Sequence, residues 1–424
     1  MTGAAAARAA EQAVRQHRGR LVAWLAWQWR DIAAAEDALA EATARALARW
    51  PVDGVPASPA GWLLATARHE LLMAARRQRL AEDPALTILW PTADTPADEP
   101  AAVPDQRLAL LFVCAHPAID PQIHSALMLQ VVLGLDAARI ASAFLVKPDA
   151  MGKRLTRAKA KVKATGIRFE LPEARELPER MAAVLEAIYA AYTLHWDAAE
   201  PHAGALAVGE DAGDDLATEA LFLAELVAAQ QPDSAEALGL VALLSLCEAR
   251  RPARRDAAGA FVPLDEQQPS AWDARLVDAA HEALRRAAAL QQPGPFQLEA
   301  CIQALHMHGR RQGRVDWPDI VALYDGLIAM APTLGAHIGH AVALARATEI
   351  PRRGLQALDA LAEAHAERLT QHQPWWAARA HLLAAAGEAE EARVAYDRAI
   401  ALTVQPALRA WLAKQRGISP SSSR

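Results

Sequence analysis

The sequence predicts an all-α protein of several helical units, and three observations carry that prediction. Alanine dominates a 53% hydrophobic composition in which only 5% of residues are aromatic, a balance that favours helices over strands. Apolar residues recur at three- and four-residue intervals along most of the chain. Where that recurrence stops, between Glu82 and Asp105, five prolines and six acidic residues stand without one basic residue. Proline removes helical hydrogen bonds and like charges extend a chain, so this stretch reads as a linker. At 424 residues the chain also exceeds the size at which one core stops growing, so two or three domains are expected.

Taken in order, the first helical signals place Leu21, Trp24, Leu25 and Gln28 in one segment, then Ala38, Leu39, Ala42, Ala46 and Leu47 in the next. A break at PVDGVPASP precedes a third helix, GWLLATARHELLMAARRQR. After the linker the pattern resumes in QRLALLFVCAHPAI, PQIHSALMLQVVLGL and DAARIASAF, followed by the turn LVKP and DAMGKRLTRAKAKVKA. Asp136 suits the cap of the DAARIASAF helix, and Pro148 with Asp149 suits the first turn of the last. Ile140, Phe144, Leu145, Met151 and Leu155 are the expected small core of this pair, with Ala141 at the crossing. Two short helices and a tight turn at a basic island form a helix-turn-helix pattern.

More than two hundred residues of alanine-rich helical pattern follow Leu177. Near the end, Trp376, Ala380, Leu383, Gly387, Ala392, Tyr396 and Ala399 fall at tetratricopeptide-repeat spacing, and Tyr324 with Pro332 mark a partial second copy. The closing SPSSSR is expected to be disordered.

Charge is concentrated. Lys147 to Arg168 holds eight basic residues and one acid, a local +7, and Arg68 to Arg79 adds a local +3; with −6 overall, the rest of the chain carries −16. Such basic islands in an acidic chain are where nucleic acid would be met. In the second island Asp149, Lys153, Arg154, Arg157 and Lys161 are expected to face outward, offering donors to base edges and cations to phosphates. In the third helix Trp62, Arg68, His69, Arg76, Arg77 and Arg79 combine an aromatic with cations, the chemistry that holds unstacked single strands. Glu36, Asp37, Glu41 and Arg45 lie on an expected exposed face of the second helix. Each of these has an ordinary reading as well: a solvated charged helix for the two basic islands and the acidic face, a core residue for Trp62.

The order and spacing of these segments resemble the extracytoplasmic-function sigma factors of bacterial transcription. EDALAEATARALARW resembles the polymerase-binding part of sigma region two, PAGWLLATARHELLMAARRQR its melting and minus-ten-reading part, and LMLQVVLGLDAARIASAFLVKPDAMGKRLTRAKAKVK resembles sigma region four. VCAHPAI, GIRFELP, LPERMAAVLEAIY, EARRPARRDAAGAFVPLDEQQPSAWD and GPFQLEACIQALH are similar to the subgroup with a tetratricopeptide-like C-terminal extension. The resemblance implies sigma region two at 8–80, an acidic linker at 81–106, region four at 107–168, a helical-repeat domain at 179–415 and a disordered tail at 416–424. It implies core RNA polymerase and promoter DNA as partners. Glu36, Asp37, Glu41 and Arg45 would meet the core, Trp62 to Arg79 the melted minus-ten strand, and Asp149 to Lys161 the minus-thirty-five element. The linker acids would mimic nucleic acid. The extension would contact the sigma half or an unknown protein regulator. His69, Met73 and Ala74 depart from the family's usual melting-helix residues, and IYAAYTLHWDAAE departs in the extension.

No GxxxxGK[ST] loop, GxSxG elbow or HExxH helix occurs, so no catalytic centre is expected, and no cofactor. Cys114, Cys247 and Cys301 stand far apart, giving neither a disulfide framework nor a zinc site and fitting a reducing cytoplasm. His337 with His340, and His306 with His308, lack the further ligands a metal needs. The early charges of MTGAAAARAAEQ and the shortness of LGLVALLSL argue against secretion and membrane spanning. Arg250, Arg251, Arg254 and Arg255 read as a solvated loop. A repeat-containing helix-turn-helix regulator that never joins the polymerase remains the alternative.

Overall fold

The computed structural model describes residues 3–82, 105–144, 146–173, 175–198 and 211–418. Most of the expected linker, the terminal SPSSSR and the end of IYAAYTLHWDAAE lie outside them. The described residues are all-α: eighteen helices and three short 3-10 turns, with Arg255 and Phe261 forming an isolated β-bridge. The chain divides into two compact units, Met1–His195 with Asp211–Leu223, and Trp196–Glu210 with Ala224–Arg424.

The first unit begins with α1 (Gly3–Trp29), α2 (Ile32–Asp53) and α3 (Pro59–Glu82), each packed on the other two. Leu21, Leu25, Ile32, Trp50, Leu63 and Leu64 are fully buried there, each side chain stabilising the fold by roughly 1.5–3 kcal/mol. Leu47, expected inside, stands 41% exposed, and Gln28 is also exposed. Asp31 caps α2 by accepting the Ala34 N–H at 3.0 Å. The expected break at Pro51 falls inside α2, whose last turn continues to Asp53. A proline at the end of a helix removes few hydrogen bonds, and Gly54 N–H still reaches the Trp50 carbonyl at 3.0 Å.

The rest of this unit comprises α4 (Arg107–Cys114), α5 (His124–Val131), α6 (Ala137–Ala143), α7 (Pro148–Thr165), α8 (Leu177–Ala198) and the first part of α9 (Asp211–Gln230). Asp136 does cap α6, accepting from Ala138 and Arg139, and Pro148 and Asp149 do open α7. Ile140, Ala141, Met151 and Leu155 are buried as expected. Phe144 is not: as the C-cap of α6 it leaves the helix and is 37% exposed. Leu145 lies outside the described residues. Arg18 of α1 donates to the Gln130 and Val131 carbonyls at the end of α5, satisfying groups that a helix terminus leaves open. Arg107, 8% exposed, is held by Asp105 at 2.6 Å and by Glu219, and lies over the Phe222 ring. Arg180 ties α8 to α4 by donating to the Phe112 carbonyl.

The second unit continues with α10 (Ala235–Ala249), α11 (Ala274–Ala289), α12 (Pro295–Gln312), α13 (Trp317–Met330), α14 (Leu334–Thr348), α15 (Pro351–Leu369), α16 (Gln373–Ala385), α17 (Ala389–Leu402) and α18 (Pro406–Ile418). Each helix packs on the next. The α10–α12 contact is set by two residues one turn apart. Glu236 accepts the Phe296 and Gln297 N–H groups of the first turn of α12, and at Gly239 an added Cβ would come within 2.6 Å of the Gln297 nitrogen. In α16 and α17, Ala380, Leu383, Ala392, Tyr396 and Ala399 are buried together, with Gly387 at φ +81° in the turn. Trp376 is half-buried against this cluster, while its neighbour Trp375 takes the deeper place at 7% exposure.

Candidate nucleic-acid interface

The apolar residues of α7 fix which way its charges point. Met151, Leu155, Ala158 and Val162 are buried and follow one stripe of a helix that turns about 100° per residue. Lys153, Arg157 and Lys161 recur every four residues on the opposite side and are all exposed, with Asp149 and the half-buried Arg154 flanking them. Arg157 Nε donates to the Lys153 carbonyl at 3.2 Å and Arg154 reaches the Gln122 side chain at 3.4 Å. Arg154, Arg157 and Lys161 border a cleft of about 350 Å³ with Asp120 and Ile123.

Lys159 and Lys163 form a third stripe, unanticipated from the sequence, that meets α2. Lys159 Nζ is 2.7 Å from Glu36 and Lys163 Nζ is 2.8 Å from Asp31. Glu36 also accepts from Arg18 at 2.9 Å. Burial works to raise the Asp31 carboxyl, but the Lys163 ammonium and the Ala34 and Ala33 N–H groups outweigh it and hold it below the usual range. The signal for this stripe lay in the register: Lys159 and Lys163 are four apart and fall between the buried and outward stripes.

The expected acidic face of α2 is therefore divided. Glu36 does not stand in the open; its side chain is 16% exposed and engaged by two cations from α1 and α7. Asp37 and Glu41 are exposed. Arg45 joins Glu41 at 3.3 Å and Glu70 of α3 at 2.5 Å, bracing the two helices.

On α3 the core stripe of Leu63, Leu64, Ala67 and Leu71 is buried, and Trp62, His69 and Arg76, spaced by seven, run along the opposite side. All three are half-buried and Arg77 beside them is exposed. Trp62 meets Trp50 edge to face, ring centroids 5.5 Å apart at 72°. Arg68 is offset from this line, with its Nε buried and lacking a hydrogen-bond partner. The Arg79 side chain lies outside what is described. The structure thus lines Trp62, His69 and Arg76 along one face, with the exposed Arg77 to one side of it and the half-buried Arg68 to the other.

The four-arginine loop of the second unit is not simply solvated. Arg250 is buried and donates to Gln303 at 2.7 Å, Arg251 pairs with Glu248 at 2.6 Å, and Arg255 donates to the Gly259 carbonyl at 2.8 Å. Among the described residues, no three His, Cys, Asp or Glu side chains gather as a metal would require, and no helix is long and apolar enough to cross a membrane.

Residues 180–288 match a family described as a family of unknown function, DUF6596. No solved structure matches the chain. An uncharacterized protein of Rhizobium meliloti (strain 1021) is 37% identical over 393 residues, which cover 91% of this chain and 90% of that protein. Identity at that level across nearly the whole of both chains means that this protein belongs to the same family as the Rhizobium protein.

Proposed function

We propose that the chain is a transcription initiation factor of the extracytoplasmic-function sigma type, with its helical second unit regulating the first. The observation that carries the reading is the division of α7, whose outward stripe of Lys153, Arg157 and Lys161 is left for phosphates and base edges while separate stripes serve the core and α2. The aromatic and cationic face of α3, with Trp62, His69, Arg76 and Arg77, supports a second contact of the kind that traps unstacked bases. In this reading Asp37, Glu41 and Arg45 meet the polymerase core, α3 receives the opened minus-ten strand, and α7 enters the major groove at the minus-thirty-five element. The regions align as sigma region two at 8–80 and region four at 107–168, with a tetratricopeptide-like extension at 179–415 acting in place of a separate anti-sigma protein. The chain works in the cytoplasm and performs no catalysis of its own.

Reconstituted transcription from genomic DNA fragments, with purified polymerase core and this chain as the only added factor, tests the proposal. Discrete new start sites are expected, and their number should change when residues after Gln230 are deleted, a cut that leaves the helices of the first unit in place. A second reading draws on Glu36, whose engagement with Arg18 and Lys159 leaves the acidic face of α2 incomplete. It makes the chain a DNA-binding regulator that never joins the core. Operator binding by the protein alone, without core binding or new start sites, would select that reading.

A further inference from the structure

The segment between α10 and α11 is a long connection, regular only in two short 3-10 turns and the Arg255–Phe261 bridge, yet it is tightly fixed. Gln267, 2% exposed, accepts from the Trp272 indole at 3.3 Å and donates to the Val262 carbonyl at 3.2 Å. Its own carbonyl accepts from Arg310 Nε of α12 at 2.8 Å. Asp256 closes a turn by accepting the Ala258 and Ala260 N–H groups, both at 2.9 Å. A loop held this way forms a ready-made wall.

Against that wall lies a cleft of about 400 Å³, within the size range of small-molecule sites. Leu264 and Asp265 line it from the loop, His306 and Arg310 from α12, Trp317 from α13 and Arg346 from α14. His306 meets Trp317 edge to face with centroids 5.4 Å apart, and the Arg346 guanidinium lies 5.8 Å from the centre of the Trp317 ring. The Arg346 and Asp265 side chains are exposed at the mouth of the cleft and His306 is half-buried; among the described residues no ion pair or side-chain hydrogen bond joins them to a neighbour. Arg310 uses only its Nε, in the bond to Gln267. Burial, with Arg250 nearby, lowers His306 to about 4 against the opposing pull of Asp265, so the imidazole is neutral at physiological pH. Two guanidinium groups therefore face one carboxylate and a neutral ring, an excess of one positive charge beside an indole and aliphatic side chains.

We infer that this cleft binds a small organic monoanion with a flat apolar body, its acid group on Arg346 and its body along Trp317 and Leu264. Arg346, exposed at the mouth of the cleft with its guanidinium 5.8 Å from the Trp317 ring centre, offers its charge to an anionic ligand, and the apolar lining favours an organic anion over an inorganic one. The inference concerns the second unit alone and stands whether or not the chain joins a polymerase.

The test is calorimetric titration of the full chain with 2-naphthoate and with its neutral isostere 2-naphthamide. Naphthoate should bind saturably, one per chain, and the amide about tenfold more weakly. Arg346→Gln should weaken naphthoate by about tenfold, and Asp265→Asn, which removes the opposing charge, should tighten it. The gain in the second variant separates a ligand effect from a damaged fold. With 5-fluorotryptophan incorporated, the ¹⁹F resonance assigned to Trp317 by Trp317→Phe should move on titration. The inference is overturned if naphthoate does not saturate, if acid and amide bind equally, if Arg346→Gln binds undiminished, or if Trp317 stays unmoved.

Discussion

Glu36 shows how one residue type in one pattern serves two opposite ends. On a sequence it is an acid on the polar side of α2; in the fold it accepts from Arg18 at 2.9 Å and Lys159 at 2.7 Å, with its side chain 16% exposed. Lys159 is similarly withdrawn at 14%. A pair this far from solvent is poorly screened; removing Glu36 leaves Lys159 desolvated without its carboxylate, and removing Lys159 leaves Glu36 with Arg18 as its remaining cation. Glu36→Ala is therefore expected to destabilise the first unit by about 1–3 kcal/mol, and Lys159→Ala by a similar amount. The double variant should cost less than the sum, with a coupling of at least ~0.5 kcal/mol in a urea-denaturation cycle. Additive losses would mean that the two groups are held near each other by their helices and not by their charges.

At the scale of elements, α7 carries the most specific expectation. Lys153, Arg157 and Lys161 on the outward stripe should each contribute to duplex binding, so alanine at any of them should weaken anisotropy-measured affinity and lower the salt slope by about one. Lys163→Ala should leave that slope unchanged, because its ammonium is 2.8 Å from Asp31. Equal losses from Lys153 and Lys163 would remove the distinction between the stripes. The outward stripe was legible in the sequence because apolar spacing fixes the buried side of a helix, and whatever is opposite must face out. The caps at Asp136 and Pro148 were legible for an equally local reason: a helix start is decided by its own first residues. The stripe of Lys159 and Lys163 was not, because its meaning depends on Glu36 and Asp31, more than a hundred residues away. Phe144, Leu47 and the order of Trp375 and Trp376 were missed at helix ends or at adjacent positions, where a small rotation decides which side chain enters the core. Arg250 was missed because its acceptor, Gln303, comes from another helix.

For the molecule as a whole, acid should act first through histidines. Burial is the leading cause that lowers His17, His116 and His124 in the first unit and His372 in the second, and it brings His306 down to about 4. In the unfolded chain these rings take up protons near their ordinary value of 6.5, while in the fold they stay neutral to lower pH. Unfolding therefore binds protons in that interval, and stability present above pH ~6.5 is lost progressively as pH falls. His306 alone accounts for at most about 3 kcal/mol of this, the loss levelling off below pH ~4. The carboxylates follow later. Asp31, beside Lys163, and Asp105, beside Arg107, are held below the usual range against the opposing effect of burial, so their ties give way only as pH drops through their lowered values. Urea unfolding followed by tryptophan fluorescence should show the midpoint falling from pH ~6.5 downward, before carboxylates titrate. His306→Gln should flatten that fall, since the amide takes up no proton in either state. A midpoint that holds steady to pH ~4.5 and then drops would place acid sensitivity in the carboxylate ties instead, and would mean that the ring of His306 is hydrated in the folded protein.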